Sequence, residues 1–328
     1  MARHHDIPLP FTIDDLTLAS AVRFFYLNAI LVTVSLNVVP SVARRLYAYG
    51  KSAPAAAPAG AGSSPVALLA RLRVPHAWFA HFYVLSLAVQ LFWLLQIFSA
   101  GSFLRRLLAV LPHDVVTTSG GTGPPRVVEG PPGDQSFETI LLCIVCMAMQ
   151  SARRAYESLC IQKPGPSPMG ILIYIAGISH YLVMGLAVWC DGVGTLAAND
   201  NLPLAHPSTY LRVPRLNTLL ALPVFFLASG AQHDAHAHLA SLKKYSLPTH
   251  PLFALTLSPH YLAECAIYAS LAVLGAPRDR WVNGTLAYVA VFVCVNLSFG
   301  AAITRRWYAD KFGEQQIANR ARLLPFIY

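Results

Sequence analysis

Seven apolar runs, separated by polar or Pro/Gly-rich segments, set the terms for this chain. They are Phe24–Val39, Trp78–Phe98, Thr139–Met149, Gly170–Trp189, Thr218–Ala231, Leu262–Leu274 and Leu286–Ile303. Several approach the ~20 residues that cross a hydrocarbon core. The second could continue past Arg105-Arg106 to Leu111, and the helical pattern of the third could run through Tyr156 to Cys160. Backbone groups in lipid must be satisfied internally, and the period-two alternation of a membrane barrel is absent, so each run is expected to be a helix. The expected fold is an all-α, multi-pass transmembrane bundle of about seven helices, with cytosolic loops covering a site.

Composition agrees. Only 12% of the 328 residues are charged, against roughly 25% in a soluble domain. A soluble enzyme, a nucleic-acid-binding domain and a disordered chain are thereby excluded. The formal charge of +9 does not point to nucleic acid, because the basic residues sit in pairs beside apolar runs: Arg44-Arg45, Arg105-Arg106, Arg153-Arg154, Lys243-Lys244 and Arg305-Arg306. That placement suits topology and phosphate contact. With the C-terminus cytosolic, the cytosolic segments hold 15 of the 24 Lys and Arg residues, which favours N-terminus out. The sequon Asn283-Gly284-Thr285 then falls on the lumenal side, where it could be glycosylated or unused. Met1–Asp15 lacks the apolar segment of a cleavable signal peptide.

The chain reads as one integral membrane domain over 1–328. Residues 52–65, rich in Ala, Pro, Gly and Ser, are expected to be a flexible linker, and 113–133 a long loop punctuated by Gly and Pro pairs. Gly120-Gly121-Thr122-Gly123 lacks the strand, helix and lysine of a phosphate-binding loop. Cys143 and Cys146 form a CxxC inside an apolar run with no second pair, so they read as small core side chains.

Ionisable residues in or beside spanning segments are costly, and therefore informative. Four sets stand out. Gln150-Ser-Ala-Arg153-Arg154-Ala-Tyr156-Glu157 closes the third run, with Arg153 and Glu157 at i,i+4. It reads either as a juxtamembrane ion pair or as an anion clamp. Gln232-His233-Asp234-Ala-His236-Ala-His238 follows the fifth run, with Lys243, Lys244 and Tyr245 behind it. Three close histidines raise a metal hypothesis, but His238 is turned ~140–160° from the other two on helical spacing, and no metal is expected. Ser258-Pro-His260-Tyr261-Leu-Ala263-Glu264 opens the sixth run, with Ser258 as N-cap and Pro259 at the helix start. Tyr268 shares a face with Glu264. Finally, Asn296 lies mid-run in the seventh span, where an interhelical hydrogen bond would explain it, and that span ends in Tyr308-Ala-Asp310-Lys311-Phe312.

Together these segments resemble the steroid 5α-reductase family, in its polyprenol (polyprenal) reductase branch. Arg322-Leu-Leu-Pro-Phe-Ile-Tyr328 is similar to the family's terminal signature, and Val74-Pro75 with Trp78-Phe79-Ala-His81-Phe82-Tyr83 is similar to the branch's second helix. The resemblance covers roughly residues 74–328, with a catalytic half at about 137–328. It implies an endoplasmic reticulum enzyme that uses NADPH to reduce the α-isoprene C=C of a long-chain polyprenyl lipid, supplying dolichol for protein N-glycosylation. It implies cofactor contacts by Arg153, Arg154, Glu157, Gln232, His236, Lys243, Tyr245, His260, Tyr261, Glu264, Asn296 and Tyr308. The steroid-reducing branch holds its substrate carbonyl with a glutamate on the second helix and a tyrosine on the third. Here Ser151 takes the tyrosine's register, and His81 or Tyr83 is left to hydrogen-bond the substrate oxygen. The alternatives are 5α-reduction of a steroid or another enone lipid, a histidine-box di-iron lipid oxygenase, and a non-enzymatic lipid carrier.

Overall fold

A computed structural model describes residues 17–38, 72–113, 128, 130–162, 168–199, 214–243 and 246–328. The segment 52–65 and most of 113–133 lie outside the described residues. Seven helices of 16 residues or more dominate what is described: α1 (Leu18–Val38), α2 (Phe79–Phe98), α4 (Phe137–Tyr156), α5 (Ile171–Ala187), α7 (Leu216–Ser241), α8 (Pro259–Leu274) and α9 (Gly284–Phe312). Shorter helices are α3 (Ser102–Val110), α6 (Val193–Ala198) and α10 (Glu314–Ile317). A two-residue antiparallel pair, β1 (Arg73–Val74) with β2 (Met169–Gly170), ties the approach to α2 to the start of α5.

Among the described residues, four helical stretches, Leu18–Val38, His76–Phe98, Ile171–Ala198 and Gly284–Phe312, are long and apolar enough to cross a membrane. The outward surface fits that setting. Phe24, Leu95, Leu219 and Leu227 all face outward, while Trp189, Tyr26, Phe225 and Met184 fill the interior. The chain is a multi-pass, all-α membrane protein. Its helices close a ring: α7 packs on α8, α8 on α9, α9 on α1, α1 on α5, α5 on α2 and α2 on α4, with α4 returning to α8.

Local sequence explains the helix ends that matter. Ser136 caps α4 by accepting from Thr139 N, and Arg153 and Arg154 occupy its last turn, where cations suit the helix dipole. The chain then passes into a π-helical turn, Glu157–Ile161, closed by Gln162 N donating to Glu157 O at 2.7 Å. This matches the expected extension of the third run toward Cys160.

The continuation of the second run to Leu111 is interrupted instead. Ala100 takes a left-handed φ of 46°, and Gly101 lies so close to the Gln96 side chain that a Cβ would meet its Oε1 at 2.1 Å. Beyond this break α3 is amphipathic, with Leu104 and Leu108 buried and Arg105 and Arg106 exposed. The arginine pair marks a separate helix. Ser258 holds the expected position before α8, but its hydroxyl makes no capping bond.

Candidate functional site

Buried polar side chains from α2, α4, α7 and α8 meet at one end of the bundle. Glu157, fully buried, is the hub. It accepts from Arg153 Nη1 and Arg154 Nη1, while His233 Nδ1 lies 2.8 Å from its Oε1 and His236 Nδ1 lies 2.8 Å from its Oε2. Helical spacing fixes the two arginines over this carboxylate, at i,i+4 and i,i+3.

Arg154 reaches further. Its Nη2 donates to the Tyr83 hydroxyl at 2.7 Å, its guanidinium carbon sits 4.5 Å from that ring's centroid, and Nη1 is 2.8 Å from His236 Nδ1. One imidazole nitrogen cannot both donate to Glu157 and accept from Arg154, so the His236 tautomer decides which contact is a hydrogen bond.

Arg153 faces the other half of the cluster. It donates to Ser229 Oγ at 3.0 Å, to Gln150 Oε1 at 2.8 Å, and to Gln232 Oε1. Gln150 Nε2 also donates to Gln232 Oε1 at 2.8 Å, and Gln232 Nε2 donates to Glu264 and to the His260 carbonyl. The His260 ring lies 5.3 Å from that of His236 and 4.3 Å from that of Tyr261.

Two arginines and two carboxylates share this cluster, so it balances when the histidines are neutral. Burial lowers the His236 pKa to about 4 and holds His260 well below the usual imidazole range. Burial alone would raise the Glu157 carboxyl, but the His236 hydrogen bond and the charges of Arg154 and Arg153 outweigh it and hold it low. Among the described residues, the buried Arg154 Nε, His260 Nδ1 and Ser258 Oγ find no partner. Buried donors rarely stay unpaired, so these atoms mark where a ligand would bond.

The structure therefore brings together Tyr83, Arg153, Arg154, Glu157, Gln232, His236, His260 and Glu264. Tyr261 lies beside Gly300 of α9. Tyr308 is buried nearby along the chain's closing segments, stacked on Phe312 and packed with Leu257 and Ile317. Other expected residues stand apart. His81 is exposed and pairs with the Tyr174 hydroxyl at 3.1 Å, because a two-residue offset turns it away from Tyr83. Asn296 is exposed mid-α9 and its side chain makes no hydrogen bond among the described residues, so the expected interhelical bond is not there. Lys243 is exposed beyond α7, and Tyr245 lies outside the described residues. His238 turns away, as its spacing implies, and packs on His250 and Phe253.

Sequence reasoning passes over three features. Ser151 and Ser86 share a buried 2.7 Å hydrogen bond between α4 and α2. His180, mid-α5, is buried between Tyr26 and Tyr268. An imidazole inside the apolar run Gly170–Trp189 is itself a signal. The third is a cavity of about 280 Å³ between Pro131, Asp134, Phe137, Glu138 and Thr195. It sits at the start of α4, on the order of 25 Å from Arg154 at 1.5 Å per residue, so it is separate from the cluster.

A multi-pass helical bundle with a charge-balanced polar cluster built into one end is a membrane protein with the polar groups that a buried ligand site would need. Comparison with known proteins narrows the class. Residues 179–328 match the family described as 3-oxo-5-alpha-steroid 4-dehydrogenase. A polyprenal reductase of Caenorhabditis elegans is 25% identical over 270 residues, covering 79% of this chain and 81% of that protein. One from Rattus norvegicus is 26% identical over 320 residues, 93% of this chain and 92% of that protein. One from Saccharomyces cerevisiae is 34% identical over 178 residues, 54% and 60% of the two chains. The C-terminal part of the chain thus matches the steroid 5α-reductase family, most of its length is similar to polyprenal reductases, and it is an oxidoreductase that reduces a C=C bond.

Proposed function

We propose that this chain reduces the α-isoprene C=C of a long-chain polyprenal to the dolichal with NADPH, in the endoplasmic reticulum membrane, supporting dolichol supply for protein N-glycosylation. The observation that carries this reading is the Arg154–Tyr83 contact inside a charge-balanced cluster, in a chain whose relatives over most of its length are polyprenal reductases. The C-terminus and the cluster face the cytosol in this reading, in keeping with the distribution of Lys and Arg. The whole chain acts as one reductase domain.

The residues present fit a dinucleotide. The unpartnered Arg154 Nε and His260 Nδ1 can donate to phosphate, ribose or carboxamide oxygens, and the side-chain amides of Gln150 and Gln232 offer both donors and acceptors. Glu264 can accept from a carboxamide. Arg153, Glu157, His236, Tyr261 and Tyr308 shape and hold this site, and Lys243, exposed beyond α7, adds a cation on its cytosolic approach. Asn296 stands outside the cluster but one turn before Gly300, on the face of α9 beside Tyr261, and would join the site from there. Bound there, NADPH supplies the hydride that adds to the β carbon of the conjugated C=C.

The chain's own groups do the rest. Arg154 donates to the Tyr83 oxygen, which leaves the Tyr83 O–H free to point at an acceptor. An aldehyde oxygen placed there gains a hydrogen bond that strengthens as negative charge develops on it. Where the steroid-reducing branch has a tyrosine, α4 carries Ser151, which bonds Ser86 across to α2 and is too short to replace a phenol at the substrate carbonyl. The apolar bundle excludes water from the reacting carbons.

The test is direct. Purified protein incubated with a polyprenal and NADPH should give a product two hydrogens heavier, saturated at the α-isoprene. Absence of that product, or two irons per chain by metal analysis, would overturn the proposal.

A further inference from the structure

We infer that His180, bridged by the hydroxyls of Tyr26 and Tyr268, is a proton relay, and that Tyr268 hands its proton to the lipid as the hydride adds. This rests on the reduction proposed above. His180 sits midway along α5 and is enclosed by α1, α8 and α9, with Phe292 5.5 Å from its ring. Both of its nitrogens are engaged. Nδ1 is 3.2 Å from the Tyr26 hydroxyl and Nε2 is 3.2 Å from the Tyr268 hydroxyl.

A neutral imidazole has one N–H and one lone pair, so its two phenol contacts must run in opposite senses. The Tyr26 hydroxyl offers the means to reverse them, because it also lies 3.3 Å from the His180 carbonyl oxygen. When the Tyr26 O–H points to that carbonyl, Nδ1 carries the proton and Nε2 accepts from Tyr268. When it points to Nδ1, Nε2 carries the proton and donates to the Tyr268 oxygen, which frees the Tyr268 O–H for another acceptor. The two arrangements differ by two hydroxyl rotations and one proton shift across the ring.

The relay opens toward the cluster. Tyr268 lies one turn beyond Glu264 on the same face of α8. Tyr181, next to His180, holds its ring 5.7 Å from that of Tyr83. Packing alone would be satisfied by apolar side chains. Three linked titratable groups at mid-span are costly unless they are used.

The step balances. The hydride of a dihydronicotinamide forms the C–H bond at the β carbon, and the π electrons move onto the aldehyde oxygen. The resulting enolate takes the Tyr268 proton at its α carbon, and the O–H electron pair stays on the Tyr268 oxygen. That oxygen takes the Nε2 proton as Nδ1 takes the Tyr26 proton. Because Tyr26 is fully buried, the relay resets in reverse after product leaves, with Tyr268 taking a proton from water in the emptied site and passing one through His180 to Tyr26. The lipid is reduced by two electrons and the nicotinamide is oxidised. Tyr268 touches substrate, whereas His180 acts through it as a positioning and relay residue.

The experiment uses full-length protein in lipid nanodiscs with a polyprenal and NADPH, comparing wild type, His180→Phe and Tyr268→Phe. Cofactor binding is followed by NADPH fluorescence, and turnover is measured in H2O and D2O. Both variants should lose at least a hundredfold in kcat, with KM and NADPH affinity within about twofold. Their solvent isotope effect should rise, a change that a purely structural role would not produce. Should His180→Phe fail to fold, Tyr268→Phe, which removes a single oxygen, decides. Turnover within twofold of wild type with an unchanged isotope effect overturns the relay while the proposed reduction stands. A wild type that leaves the polyprenal unreduced overturns both.

Discussion

Arg154 and Tyr83, on helices that meet only in the folded bundle, are joined by a 2.7 Å hydrogen bond and by a guanidinium 4.5 Å from the ring centroid. The arginine is itself held by Glu157 and His236, so the Tyr83 hydroxyl sits at the tip of a charged, pre-oriented chain. A group held this way needs no reorganisation when charge develops on a substrate oxygen.

Tyr83→Phe should therefore lower kcat about 10²-fold or more, and should cost about 1–3 kcal/mol of stability because Arg154 Nη2 loses its buried acceptor. His81→Ala, two residues earlier and exposed beside Tyr174, should change kcat by less than about threefold. Steady-state kinetics of the two variants, side by side, check the assignment. Equal losses would show that the substrate oxygen is held elsewhere.

Glu157→Gln removes the one carboxylate shared by Arg153 and Arg154. Stripping one partner from a buried ion pair costs about 3–5 kcal/mol, because the remaining charges stay desolvated. The variant should show a Tm lower by several degrees and loss of NADPH retention. A Tm within a degree of wild type would mean that the arginines are solvated and the cluster is open.

His236 sets the acid limit. Burial lowers its pKa to about 4, with Arg154 also opposing a second positive charge and Glu157 pulling the other way. The unfolded histidine titrates near 6.5, so between pH 6.5 and about 4 the unfolded chain binds the extra proton. Stability should be fully present above pH 6.5 and should fall as pH drops through that window, by up to about 3 kcal/mol. Glu157, held below the usual carboxylate range by His236, Arg154 and Arg153 against the effect of its burial, adds its own loss only below about pH 4.5. Thermal melts from pH 7 to pH 5 test this, and His236→Gln should flatten the slope. A flat wild-type profile would contradict the buried, neutral imidazole.

Much of this arrangement is legible in the sequence, for local reasons. Arg153 and Glu157 lie at helical spacing, so their pairing follows from the helix alone, and the seven apolar runs locate seven long helices. The Tyr83–Arg154 contact does not follow. Alternation separates His81 from Tyr83 by about 200° but cannot say which of them faces α4. The break at Ala100 depends on a left-handed backbone and on Gln96 folding back against Gly101. The His180 centre depends on three helices converging, which spacing within one helix cannot show.

The sequon supplies the last prediction. Asn283 is fully buried at the start of α9, where its Oδ1 accepts from Leu286 N at 2.8 Å and its Nδ2 donates to the Gly275 carbonyl at 3.1 Å. Thr285, also fully buried, accepts from Arg23 Nε at 2.8 Å, and Arg23 pairs with Asp191. The amide is thus spent at both ends, its oxygen on the cap of α9 and the nitrogen that would carry a glycan on the Gly275 carbonyl. The protein made in a glycosylating host should run at the same mass before and after N-glycosidase treatment. Asn283→Ala should cost about 2 kcal/mol, from the lost cap and the unpaired carbonyl, and should lower Tm without changing mass. A glycosidase-sensitive shift in the wild type, absent in Asn283→Ala, would show instead that the side chain is reached before α9 docks.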